Sequence, residues 1–137
     1  MSATLTLTKP ASEIELRACQ CGFCARHGAA TVSDPQGHAE IRIEHSAWHV
    51  YQFALRSAEP LVCANCGVYV GTVLREGKSA WSVVNVRGMG MTEFDPARAQ
   101  SVHYDSETLE GRIARRKARW TPTEISLAPS SSGSKKL

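Results

Sequence analysis

Glu13-Ile14-Glu15-Leu16-Arg17-Ala18-Cys19-Gln20-Cys21-Gly22-Phe23-Cys24 is the part of this chain from which its architecture is read most directly. It opens with the period-2 alternation of a half-buried strand and ends in three thiols within six residues. Ile14, Leu16 and Ala18 are predicted to face a core, which puts Glu15, Arg17, Cys19 and then Cys21 on the opposite side. The remaining thiols are Cys63 and Cys66, so all five cysteines of the 137-residue chain fall in two tight clusters. That distribution fits metal ligands better than cysteine used as a small buried hydrophobe, and zinc is the expected ion.

Outward from this stretch the pattern stays β-rich. Thr4-Leu5-Thr6-Leu7-Thr8 alternates, and Lys9-Pro10 stops it. Residues 25–37 dissolve into Gly, Ser, Asp and Pro and read as a loop. Strands are predicted over 39–45, with Ile41 and Ile43 inward, and over 48–55, with Tyr51, Phe53 and Leu55 on the core face. Two further runs, 68–74 and 80–86, are joined by Arg75-Glu76-Gly77-Lys78, a composition suited to a hairpin and hence to a meander. The one helical pattern covers 106–120, with Leu109, Ile113 and Trp120 on one face and basic residues toward its end. Thr121-Pro122 ends it, and from Ala128 the Ser/Gly/Lys-rich tail has the composition of disorder.

Composition limits the functional classes. The 42% hydrophobic content suits one globular domain, and there is no apolar run long enough to span a membrane and no signal-peptide pattern, so a cytoplasmic location is expected. Reduced thiols in that setting hold metal or do redox work. The net charge of +3 conceals an asymmetry: residues 1–110 hold 9 Lys/Arg against 12 Asp/Glu, and residues 111–137 hold 7 against 1. The basic run 112–119 would contact nucleic acid or form a solvated helix face, and with no aromatic platform beside it the solvated face is expected.

Two arrangements of the thiols stay open. Cys19 and Cys21 share a strand face, and a bend at Gly22 brings Cys24 round, giving three thiolates and an open position of the catalytic type. In the other arrangement Cys21, Cys24, Cys63 and Cys66 close one structural site from two C-x-x-C knuckles. A thioredoxin-like role for Cys21-Gly22-Phe23-Cys24 would need a βαβ setting, which is missing. His27 is near enough in sequence to substitute as a ligand, while His45 and His49 read as surface or strand-edge residues.

Cys19-x-Cys21-x-x-Cys24-Ala25-Arg26-His27-Gly28, Tyr51-x-Phe53, Cys63-x-x-Cys66-Gly67-Val68 and Val84-Asn85-Val86-Arg87, in that order, resemble the glutathione-dependent formaldehyde-activating enzyme family, which includes the centromere protein V domain. The resemblance covers residues 3–95. It implies a mainly β fold of Mss4-like antiparallel sheets around a zinc site; the residue pattern beyond it adds a 96–127 extension with a short C-terminal helix and a disordered tail at 128–137. It also implies zinc at Cys19, Cys21 and Cys24, where a thiol such as glutathione binds and joins a small aldehyde, a carbon–sulfur lyase reaction yielding S-hydroxymethylglutathione. Arg26 and Arg87 are candidates to pair with the thiol's carboxylates. Relatives of this type carry an extra C-x-C on the first strand. Here that strand reads Ala3-Thr4-Leu5-Thr6-Leu7, leaving the metal candidates Cys63 and Cys66 without their usual partners. The alternative is a non-catalytic, zinc-stabilised interaction module, with nucleic acid as the partner its basic helix would suit.

Overall fold

The computed structural model describes residues 2–44, 48–50, 58–64, 66–104 and 106–128. Its strands, in chain order, are β1 (Ser2–Thr6), β2 (Arg17–Cys19), β3 (Thr31–Val32), β4 (His38–Glu44), β5 (Trp48–Val50), β6 (Glu59–Cys63), β7 (Tyr69–Glu76), β8 (Ser79–Asn85), β9 (Gln100–Val102) and β10 (Thr121–Ala128). Two helices accompany them, α1 (Gly22–Arg26) and α2 (Leu109–Arg119). The protein is mainly β, with a short helix near the end of the described chain.

β8 is the hub of the sheet. Along one edge it pairs antiparallel with β7 through a two-residue loop, Gly77-Lys78, in which Gly77 takes φ 60°. A side chain at that φ is strained, so the glycine sets the hairpin. With β5 and β6 pairing in succession, this makes the expected meander. Along its other edge β8 meets β10 at Trp81 and Ser82, and β3 at Val84 and Asn85. From β10 the sheet continues to β4 and β1, and from β3 to β2 and β9. Most pairs are antiparallel, but β10 with β4 and β2 with β9 are parallel.

Burial follows the alternation where a strand has one face on the core. Ile41 and Ile43 are buried with Leu61, Val70 and Val73, while Ile14, Leu16, Val32, Val84, Val86 and Phe94 form a second cluster. Trp120, Leu74 and Val83 form a third, against which Ile113 and Trp81 pack.

Several expectations need correction. The strand predicted over 13–19 shrinks to Arg17–Cys19, preceded by a 3-10 turn at Ala11–Glu13. Ile14 and Leu16 are buried as expected, but Arg17, expected on the outer side, is only 7% exposed. The loop predicted over 25–37 holds the end of α1 and all of β3. The helix begins with Thr108 as its cap, whose Oγ1 accepts from the Gly111 N–H at 3.0 Å, and Leu109 is 42% exposed instead of facing the core. Thr121-Pro122 ends the helix as expected, but these residues already open β10, an interior strand, so the segment after residue 95, expected as an extension, contributes to the main sheet. Tyr51, Phe53, Leu55 and His45 lie outside the described residues, as does the tail beyond Ala128, and β5 is described over Trp48–Val50. Among the described residues no helix is long and apolar enough to cross a membrane.

Candidate metal centre

The thiol cluster is built by a strand running into a single helical turn. β2 carries Cys19 and is held in register by β9, with the Gln20 N–H donating to the Val102 carbonyl at 3.0 Å. Cys21 then occupies the N-cap of α1: its Sγ accepts from the Cys24 N–H at 3.4 Å, and its carbonyl accepts from the Ala25 N–H at 3.0 Å. The expected bend at Gly22 is this turn. Residues three apart on a helix share a face, so Cys21 and Cys24 point the same way, and Cys19 joins them from the strand. The three sulfurs lie within 4.8 Å of one another.

Sulfurs about 2.3 Å from one tetrahedral ion stand about 3.8 Å apart. Sulfurs already within 4.8 Å of one another are near that spacing, so the donor set fits a thiophilic divalent metal. The thiols already share charge. Hydrogen bonding from Cys24 outweighs burial and pulls Cys19 down to about 5, with help from Cys21 and the charge of Arg115. Cys24, as donor to that thiolate and partly buried, is pushed well above the ordinary thiol range. Metal binding would displace the remaining protons.

No disulfide links any of the five cysteines, and among the described residues Cys63 and Cys66 do not join the first cluster. Cys63 and Cys66 lie on the turn between β6 and β7, closed by the Gly67 N–H donating to the Cys63 carbonyl at 2.9 Å, with Gly67 at φ 76°. Among the described residues, the group of potential ligands consists of Cys19, Cys21 and Cys24 without these two. The closed arrangement that would use Cys21, Cys24, Cys63 and Cys66 is therefore not assembled. His27 does not join the group either; its ring packs tilted by 39° against Phe23 at 4.5 Å, and Phe23 meets Tyr69 edge-on at 4.9 Å. Tyr69 is fully buried, which pushes its phenol pKa up, and the hydroxyl is hydrogen-bonded to the Thr72 hydroxyl. The side chain of His49 lies outside the described residues.

The thiols open onto a cavity of about 970 Å³. Arg26 lines it, whereas Arg87, exposed after β8, does not. The basic helix lines it too: Arg112, Arg115 and Arg116 of α2 are half-buried on its wall, joined by Arg17 from β2. These arginines correct the picture of a wholly solvated basic face. Their spacing of three and four places them on one side of the helix, a signal present in the sequence. Glu107 fixes two of them, taking Arg115 at 2.6 and 3.0 Å and Arg112 at 3.6 Å, and Arg115 lies 3.7 Å over the Tyr104 ring. Outside the cavity Lys117 reaches Glu76 at 2.5 Å, and Arg119 is exposed.

Asn85 ties two walls of the site together. Its Oδ1 accepts from the Ala30 N–H, just past α1, at 3.1 Å, and its Nδ2 donates to the Tyr69 carbonyl at 2.9 Å. All of this is buried. Asn85→Ala should cost about 2 kcal/mol or more, because two buried backbone groups lose their partners. Urea unfolding reads this directly, and a change below about 0.5 kcal/mol would show that the clamp is not a source of stability.

No protein-family model matches this chain, and no curated protein does. A solved structure of a protein from Rhodobacter sphaeroides is similar over 62% of this chain and 75% of its own length, at 27% identity and a TM-score of 0.42. A superposition that loose bears on neither fold family nor function.

Proposed function

We propose that this protein holds zinc through Cys19, Cys21 and Cys24 and binds a small thiol such as glutathione there, adding it to, or releasing it from, a small aldehyde. The observation that carries the proposal is that three clustered thiols lie on the wall of a cavity large enough for a small peptide. The motif resemblance, which runs through these same cysteines, points the same way.

Zinc bound there would keep an incoming thiol as thiolate near neutral pH. The protein's own residues supply the rest. Phe23 and Tyr69 give the cavity an aromatic side that would exclude water from the reacting carbon. Arg115, locked by Glu107, favours negative charge at Cys19. In the addition, the thiolate sulfur supplies the electron pair of the new C–S bond. The carbonyl π pair moves to oxygen, which takes up the proton the thiol gave away, and release is the reverse.

The experiment is exchange NMR on carbon-labelled formaldehyde and glutathione with the zinc-loaded protein. Faster exchange between free aldehyde and adduct is expected than with Cys24→Ser at equal concentration. Equal rates would remove the lyase reading, and a protein that needs metal to fold yet leaves the exchange unchanged would be the non-catalytic module.

A further inference from the structure

Cys63 and Cys66 stand outside the metal centre, since among the described residues neither joins the group of potential ligands. The turn that carries them is closed twice: the Cys63 N–H donates to the Val68 carbonyl, and the Cys63 carbonyl accepts from the Gly67 N–H, both at 2.9 Å. An i to i+4 bond that ends on a glycine at φ 76° is the way a helical turn stops. Residues three apart in such a turn face the same side, with Cβ atoms about 5–6 Å apart. A disulfide needs about 3.5–4.5 Å, so bridging Cys63 to Cys66 asks for about 1 Å of movement. The two thiols also differ in access, Cys66 being exposed and Cys63 half-buried.

We propose that Cys63 and Cys66 form a reversible dithiol–disulfide pair, oxidised by a low-molecular-weight disulfide, whose closure is felt at the metal centre through the wall that the turn supports. The exposed Cys66 sulfur, as thiolate, attacks one sulfur of the incoming disulfide. That S–S bond breaks, and the departing sulfur leaves with the electron pair and takes the proton that Cys66 gave up. The Cys63 sulfur then attacks Cys66 in the mixed disulfide, and the second small thiol leaves with the Cys63 proton. Two protein thiols become one bridge while one small disulfide becomes two thiols, so no other oxidant is required. An exposed bridge of this kind belongs to the labile class that small thiols reopen.

The coupling runs through the strands on either side of the turn. Val62 of β6 pairs with Tyr69 of β7, and both are buried with Ala29 in a cluster against which Phe23 and Cys24 of α1 pack. Drawing the turn in moves the strand ends that hold this cluster, and with them the helical turn that presents Cys21 and Cys24. The pair is separate from the thiol–aldehyde chemistry and does not rest on it.

The test equilibrates the full, metal-loaded chain with mixtures of hydroxyethyl disulfide and mercaptoethanol, so that neither glutathione nor aldehyde is present. Remaining thiols are alkylated and the peptides mapped by mass. A Cys63–Cys66 link is expected to form as the disulfide fraction rises, with the loss of two alkylatable thiols, and to vanish on return to mercaptoethanol. Cys63→Ser should stop at the mixed disulfide on Cys66. Because the map locates each link, bridging among Cys19, Cys21 and Cys24 in a protein without metal is read separately. The amide resonances of Phe23 and Cys24 should shift between the two forms of the unaltered protein. Both thiols still alkylated in excess disulfide, or a mixed disulfide that persists on Cys66 with Cys63 present, would overturn the pair. A bridge that forms with those resonances unmoved would overturn its coupling to the metal centre.

Discussion

Replacing Cys24 with serine should weaken zinc binding by about 100-fold or more, whereas Cys63→Ser should leave both affinity and the stoichiometry of one zinc per chain unchanged. Even residues behind a metal's ligands change affinity by about 10–100-fold, and a lost thiolate removes a bond outright. Cys24→Ser removes the side chain that completes the group and keeps the backbone N–H that anchors Cys21, so the loss reports on the thiol itself. Cys63 sits at the end of β6 in a turn held by its own backbone bonds, apart from that group. Competition against a chromophoric chelator, with metal content measured on the dialysed protein, distinguishes the two variants. Equal loss in both would mean that the clusters share an ion, and the open site would have to be abandoned.

That contrast also bears on the charge of the site. A divalent ion with three thiolates is anionic overall, and an incoming thiolate makes it more so. In most surroundings this would favour keeping a proton on one sulfur. Here Arg115 lies close enough to favour the Cys19 thiolate, and Cys19 in turn favours the cation on Arg116. The basic helix and the thiols are one electrostatic unit, although about ninety residues separate them in the chain. Glu107 keeps that unit from repelling itself apart by accepting Arg115 through two hydrogen bonds.

What the sequence made legible was local. Alternation placed β1 and β4 within a residue or two, Gly77 marked the hairpin, and the cysteine spacing offered, as one of two arrangements, the three thiols that the fold brings together. What it hid had nonlocal causes or too few residues to show a period. Helix α1 is a single turn, too short for any 3.6-residue pattern, and its cap is a cysteine where Ser or Asp would have been the readable signal. β9 is three residues long and pairs parallel with β2, about eighty residues away in the chain, so no local pattern marks it. Arg17 alternates outward by the strand's own arithmetic. It is nonetheless buried, because the outer face of β2 borders a cavity walled by a helix from the other end of the chain. The same distance hid the role of the α2 arginines, whose spacing showed a face but not what that face would meet.

β10 was masked by its own first residues: a proline directly after a helix reads as a stop, yet near a strand's beginning it costs no ladder bond. A chain ending at Trp120 should therefore fail to fold cooperatively. β10 pairs with β4 over six residues and with β8 over two, so removing it strips an edge from each of two central strands. Its side chains are tied in as well. Thr121, 1% exposed, accepts the Asp34 N–H on its Oγ1 at 2.8 Å, Thr123 meets the Ser82 hydroxyl at 2.6 Å, and Ile125 packs on the cluster around Ile41. Unpaired ladder groups and exposed apolar surface on that scale exceed the roughly 5–15 kcal/mol by which domains are stable at all. The expected result is a truncated protein with no sharp thermal transition by circular dichroism and no fixed near-ultraviolet signal. A 1–120 fragment that melted in one transition within a few degrees of the full chain would show that the sheet closes without β10, and that α2 holds its place over the thiols by its own contacts.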